Sequence, residues 1–188
     1  MTDRSPQRPG FSYRIATPDD AAEISSLMNA AIGELQKGFL SPEQIAVSRS
    51  IMGLDRTLIA DGTYFLIHDC ETGRLAASGG WSRRATLYGG DHTAAQRNDA
   101  LLHPGTDAAR IRAMYTHPDF TRRGLGRMIL SLCEGAARAE GFTRLEMGAT
   151  LAGVPLYEAC GYRLIEHTIG ASADGVDVPV LRMGKTLA

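Results

Sequence analysis

The sequence predicts one α/β domain, a mixed sheet with both antiparallel and crossover connections. Three observations predict it. Stretches of alternating apolar residues take turns with stretches of helical period along the chain. Their order reads strand, two helices, three strands, helix, strand, helix, two strands. No internal repeat, low-complexity tract or linker divides the 188 residues, a length that suits one domain.

The elements follow from local chemistry. Residues 1–10 are polar and proline-rich and read as a flexible tail, with the domain spanning 11–188. "FSYRIAT" alternates and is the first strand. Thr17 caps the next segment, Pro18 suits a first helical position, and Asp19 and Asp20 favour the positive helix end. Ile24, Leu27, Met28, Ala31, Ile32 and Leu35 then form one apolar face. Ser41, Pro42 and Gln44 repeat the device as a capping box, and Gly53 ends that helix. "TYFLIHD" and "GRLAASGGWSR" form a hairpin whose turn contains Gly73. Residues 84–107 are polar and aperiodic, a long loop of a kind that is either functional or a surface excursion. "AARIRAMYTHP" is a strand that Pro118 terminates. Leu125, Met128, Ile129, Leu132, Cys133 and Ala136 form a helical stripe closed by Gly141. "FTRLEMGA" is a strand, "LAGVPLYEACG" a short helix, and "YRLIEHTI" with "VPVLRMGKTL" a final strand pair.

Composition removes several functions. Apolar residues make up 44% and charged residues 22%, enough for a buried core. A net charge of −1 argues against general nucleic-acid binding, which needs a basic surplus. The N-terminus reads as neither signal peptide nor anchor, and no apolar run is long enough to span a bilayer. Cys70, Cys133 and Cys160 are odd in number and widely spaced, so they indicate neither a disulfide framework nor a metal site. A reducing cytoplasm fits that usage.

The chemistry concentrates in "HPDFTRRGLGRMIL". The first amides of a helix point outward with partial positive charge. A loop without side-chain bulk lets an anion reach them. Gly124 and Gly126 supply that freedom, and Arg122, Arg123 and Arg127 add positive charge. A dinucleotide fingerprint would need a glycine where Ile129 stands. A nucleotide-hydrolase loop would need a lysine where Arg127 stands. A phosphate or pyrophosphate at a helix mouth remains, beside the plainer reading of an ordinary strand-to-helix turn.

"IRAMYTHPDFTRRGLGRMIL", followed about thirty residues later by "PLYEACGY", resembles the two linked signatures of the GNAT acetyltransferases. The resemblance implies a three-layer fold, with a central, mostly antiparallel sheet flanked by helices. It implies acetyl-coenzyme A as cosubstrate and no metal. By that likeness Arg122, Arg123, Gly124, Leu125, Gly126 and Arg127 hold the pyrophosphate, largely through main-chain amides. Met114, Tyr115 and Thr116 run beside the pantetheine arm as an added strand would. The Met114 amide polarises the thioester carbonyl, and Tyr157 protonates the departing thiolate. Two positions depart from the family pattern. Thr121 stands where the family often has Gln or Arg, and Thr150 where it often has Asn; threonine can cap the short helix equally well.

The implied reaction is direct attack of a neutral amine on the thioester in a ternary complex. A covalent route through Cys133 or Cys160 is disfavoured, since both fall on apolar helical positions. The base is left open among Asp91, His92, His117, Glu34, a water chain and an amine already neutral. Trp81, Arg83, Tyr88 and Glu34 are the candidate acceptor-binding residues. The acceptor is expected to be a small-molecule amine, the alternatives being a peptide amine or an acyl-coenzyme A sensor without catalysis. A homodimer is a further expectation from the resemblance.

Overall fold

The computed structural model describes residues 8–88, 90–91, 98–173 and 175–187. Strands and helices follow the predicted order with one helix added. They are β1 (Phe11–Ile15), α1 (Ala21–Leu35), α2 (Pro42–Ile51), α3 (Arg56–Ala60), β2 (Tyr64–Asp69), β3 (Leu75–Ser82), β4 (Ala109–Thr116), α4 (Leu125–Ala139), β5 (Arg144–Thr150), α5 (Val154–Ala159), β6 (Arg163–Ala173) and β7 (Val176–Thr186). The added helix, α3, starts where the Asp55 carboxylate accepts the Thr57 amide at 3.1 Å.

The strands form one sheet in the order β1-β2-β3-β4-β5-β7-β6. Among the described strands only β4 and β5 pair in parallel, because α4 carries the chain across one face between them. All other neighbours are antiparallel. Against one face pack Met128, Ile129 and Cys133 of α4 with Tyr157 of α5. Against the other pack Ile24, Leu27, Met28 and Ile32 of α1 with Leu58 of α3. The result is three layers with a core on each side of the sheet. Every stripe residue predicted for α4 is buried except Ala136, which packs at the core's margin. Each fully buried Leu, Ile or Met side chain contributes about 1.5–3 kcal/mol.

The predicted tail and loop are partly tied down. Phe11 donates its amide to the Arg8 carbonyl at 3.1 Å, and Cys70 to that of Gly10 at 2.9 Å. At the base of the 84–107 loop, Ala85 donates to Ala100 and Thr86 to Asn98. Its described tip returns to α3, where Asp91 accepts the Arg56 amide at 3.0 Å.

The entry to α1 carries the clearest pH-sensitive contact. Asp20 accepts two hydrogen bonds from Arg14 at 2.7 Å and one from the Thr17 amide at 2.7 Å. Arg14 beside it, assisted by Thr17, holds the carboxyl well below the usual carboxylate range. A depressed folded pKa stabilises above the unfolded value near 3.8 and fades as pH falls below it. Asp20→Asn is therefore expected to cost about 1–2 kcal/mol at neutral pH. Thermal melts of both proteins should converge as pH drops below about 4.

Candidate active site

The site begins with a fault in the sheet. β4 and β5 are in register only from Ala109↔Leu145 to Ile111↔Met147. Beyond Ile111, β4 has no partner on that side. On its other side the pairing with β3 skips from Gly80↔Arg112 to Ser78↔Tyr115, so Ala113 and Met114 oppose the single Gly79. Ala113 takes φ +53°, the left-handed turn of a bulge. Gly79 makes room for it: a β-carbon there would lie 2.5 Å from Met114 Sδ and from Ile129 Cγ2. The parted strands open a cleft of about 440 Å³, bordered by Met114, Tyr115 and Thr116 on one wall and Gly148, Thr150 and Tyr157 on the other.

At one end of the cleft lies the mouth of α4. Gly124 is its N-cap with φ +79°, and no side chain caps the helix. The first turn has no acidic residue. Arg122 also sits in the left-handed region, at φ +62°. Thr121, Arg122 and Gly126 border the cleft, so the uncapped amides open beside it. The two glycines do different jobs. Gly124 needs its positive φ, whereas Gly126 lets α5 approach, since a β-carbon there would meet Leu156 Cδ2 at 2.6 Å. Arg123 is stacked on the Phe120 ring, 5.1 Å from its centroid. Arg127 is exposed and Leu125 is buried.

Tyr157 stands on the opposite wall, 7% exposed, with burial pushing its hydroxyl above the usual tyrosine range. Its ring lies over Gly153, where a β-carbon would come within 2.6 Å of Cε2. Thr150 does not cap α5; the N-cap is Gly153, and Thr150 instead lines the cleft. A second, smaller chamber of about 110 Å³ continues from the first and shares Met52, Arg112, Tyr115 and Thr150 with it. α2, the β6–β7 pair and Tyr88 line it.

The acceptor residues expected from sequence separate. Tyr88 lines the small chamber. Trp81 does not: it is 2% exposed, edge-on to Phe142, inside the α4-side core. Inward alternation along β3 turns it there. Arg83 pairs with Glu140 at 2.8 Å, at the far end of α4. Glu34 is exposed and pairs with Lys37 at 2.7 Å. Of the candidate bases, Asp91 pairs with Arg56 at 2.9 Å and His117 accepts the Asp119 amide at 3.1 Å. His92 lies outside the described residues. Among the described residues bordering either chamber there is no Asp, Glu, His or Cys.

Sequence reasoning missed four residues. Arg8 lays its guanidinium against Gly124, with Cζ 2.7 Å from where a β-carbon would stand. That adds a cation beside the helix mouth from far away in sequence. Gln36, Ser48 and Met52 border the chambers. The periodicity of α1 and α2 marks a buried face, but it cannot separate polar residues facing a cleft from those facing solvent.

The sequence model of the Acetyltransferase (GNAT) family matches residues 28–162. No curated protein matches the chain. Among solved structures, a GCN5-related N-acetyltransferase from Rhodopseudomonas palustris is 20% identical with a TM-score of 0.66, covering 94% of this chain and 95% of that one. YncA from Salmonella typhimurium, solved with its cofactor acetyl-CoA, is 15% identical with a TM-score of 0.62, covering 95% of each chain. The ribosomal-protein-S18-alanine N-acetyltransferase from Escherichia coli is 14% identical with a TM-score of 0.57, covering 95% of this chain and 94% of that one. Identities this low speak for the fold.

The contact between Gly153 and Tyr157 can be tested without any ligand. Gly153 has an ordinary helical backbone, φ −85°, so alanine adds no backbone strain there, and the atoms nearest its β-carbon all belong to Tyr157. Gly153→Ala should displace the Tyr157 ring while the protein stays folded. In spectra of ring-labelled tyrosine, one hydroxyl should move down toward the normal value of about 10.

Proposed function

The chain belongs to the GNAT acetyltransferase family, and from that premise we propose that it is an acetyl-coenzyme A-dependent N-acetyltransferase acting on the amine of a small molecule. One observation carries the reading. A stretch of β4 without a partner strand leads directly to an uncapped helix mouth, with a protonated tyrosine on the facing wall.

The roles follow from that layout. The main-chain amides from Gly124 to Arg127 hold the pyrophosphate, with Arg122 and Arg8 beside them. Met114 to Thr116 pair with the pantetheine arm in place of β5. The Met114 amide, which lies in the bulge, meets the thioester carbonyl as negative charge develops there. A single fixed donor of this kind is worth about 3 kcal/mol. Burial keeps the Tyr157 hydroxyl protonated, so it donates to the departing thiolate, which is itself more basic in a dry slot. Direct attack needs no enzyme nucleophile. Cys133 is fully buried with its thiol pushed up, and Cys160 is also raised by burial. The small volume of the second chamber, about 110 Å³, favours a compact acceptor over a protein tail.

Two experiments test the reading. In the first, acetyl-CoA is mixed with a panel of amines and free thiol is followed. Tyr157→Phe should keep coenzyme affinity and lose about 10²-fold or more in turnover; unchanged turnover would remove the acid role. The second compares coenzyme affinity by calorimetry. Arg122→Ala removes an exposed charge and should weaken binding by about fivefold or less. Gly124→Val cannot hold the left-handed cap and collides with Arg8, so it should weaken binding by more than about tenfold.

A further inference from the structure

Deep in the acceptor end of the cleft, two polar side chains have hydrogen-bonding capacity that the protein leaves unused. Gln36 is 4% exposed and its Oε1 has no hydrogen-bond partner. Its Nε2 donates to the Met52 thioether at 3.5 Å, a weak contact. Ser48 is fully buried, and its Oγ has no partner either. Gln36 borders the larger chamber, Ser48 the smaller, and Met52 both. Buried polar atoms are nearly always paired, so two open ones around a single cleft ask for a ligand's polar group. Met52, which borders both chambers beside Gln36, has an unbranched, adaptable side chain.

The surrounding walls say what kind of group it is. Leu87, Tyr88, Ile111, Val178 and Val180 make the small chamber chiefly apolar. Gly148 lets the Tyr88 ring approach β5 closely, so an aromatic ring forms part of the lining. Among the described residues, the charged side chains on the two chambers are Arg112 and Arg122. Arg112 is bound to the buried Asp55 at 3.0 Å, a pair with no net charge. No carboxylate among the described residues borders either chamber. An ammonium entering here would give up part of its water and meet no carboxylate among the described residues.

Resting on the acetyltransferase reading, we infer that the chambers form an acceptor subsite for an uncharged amine on a compact apolar or aromatic body, with Gln36 Oε1 accepting its N–H and Ser48 Oγ its second hydrogen bond. Such an amine arrives already deprotonated, so no base is needed before attack; the proton its nitrogen sheds afterwards restores the Tyr157 hydroxyl that protonated the thiolate. Gln36 and Ser48 are then positioning residues for the acceptor.

The test uses two isomeric amines, para-toluidine, uncharged at pH 7, and benzylamine, which carries an ammonium. Spermidine and L-phenylalanine complete the panel. Binding to the coenzyme A complex is measured by calorimetry, with thiol release from acetyl-CoA followed in parallel samples. Para-toluidine should bind at least roughly tenfold tighter than benzylamine, and spermidine should not compete. Gln36→Leu and Gln36→Met should each weaken para-toluidine roughly tenfold while coenzyme affinity, the check on folding, stays unchanged. Tighter binding of benzylamine or spermidine would overturn the inference, as would Gln36 variants without effect. Preference for L-phenylalanine would overturn it too, by assigning the chamber to a carboxylate at Arg112. Para-toluidine bound as expected, with no thiol released for any amine, would uphold the subsite and count against acetyl transfer.

Discussion

Everything in the cleft depends on β4 and β5 parting after Ile111. A parallel pair normally continues as long as both strands last, because each further residue satisfies main-chain groups. Here β5 runs on to Thr150 and β4 to Thr116, yet the pairing stops. The cause lies in β4 itself. Ala113 at φ +53° inserts an extra residue opposite Gly79 and turns the strand aside. A non-glycine residue in that region is strained, and it persists only where its surroundings hold it. The Tyr64 hydroxyl helps, lying 3.4 Å from the Ala113 carbonyl and 3.0 Å from Ser78 Oγ. The strain is placed where an extended ligand can take up the main-chain groups that β5 leaves unpaired.

The charges around α4 carry the same message in electrostatic form. Helices usually place acids in the first turn, as α1 does with Glu23 and α2 with Glu43. α4 has none there and is instead surrounded by Arg8, Arg122, Arg123 and Arg127. For an isolated helix this is unfavourable by roughly 0.3–1 kcal/mol for each close cation. An anion at the uncapped amides reverses the sign. Arg122, at φ +62° two residues before Gly124, adds a second left-handed residue at the helix mouth.

How far the site could be read in advance depends on how local its parts are. The helix mouth and Tyr157 lie in short contiguous motifs, so their residue types and spacing were legible. The two chambers join α1, α2, the 84–107 loop, β6 and β7, and side chains from so many elements share no local signal. Trp81 and Tyr88 illustrate the difference. Both are aromatic and close in sequence, yet the pleat of β3 turns Trp81 into the core while Tyr88, past the strand end, folds over Gly148. Thr150 satisfied a capping rule on paper, but the chain turns three residues later, so Gly153 takes the cap. The short helix α3 offered only Asp55 before one apolar turn, too little period to stand out.

By itself, the sequence determined the alternation of strands and helices, the glycine-dependent helix mouth and the presence of a tyrosine at a fixed distance downstream. These are properties of backbone conformation and near-neighbour spacing, and both are written in contiguous residues. Only the tertiary structure decided where β4 leaves β5, which polar groups are buried without partners and which charges face the cleft. Those outcomes depend on side chains brought together from distant elements, as when Arg112 meets Asp55 or Arg8 meets Gly124. Burial and pairing are properties of the assembled layers, and no single segment carries them.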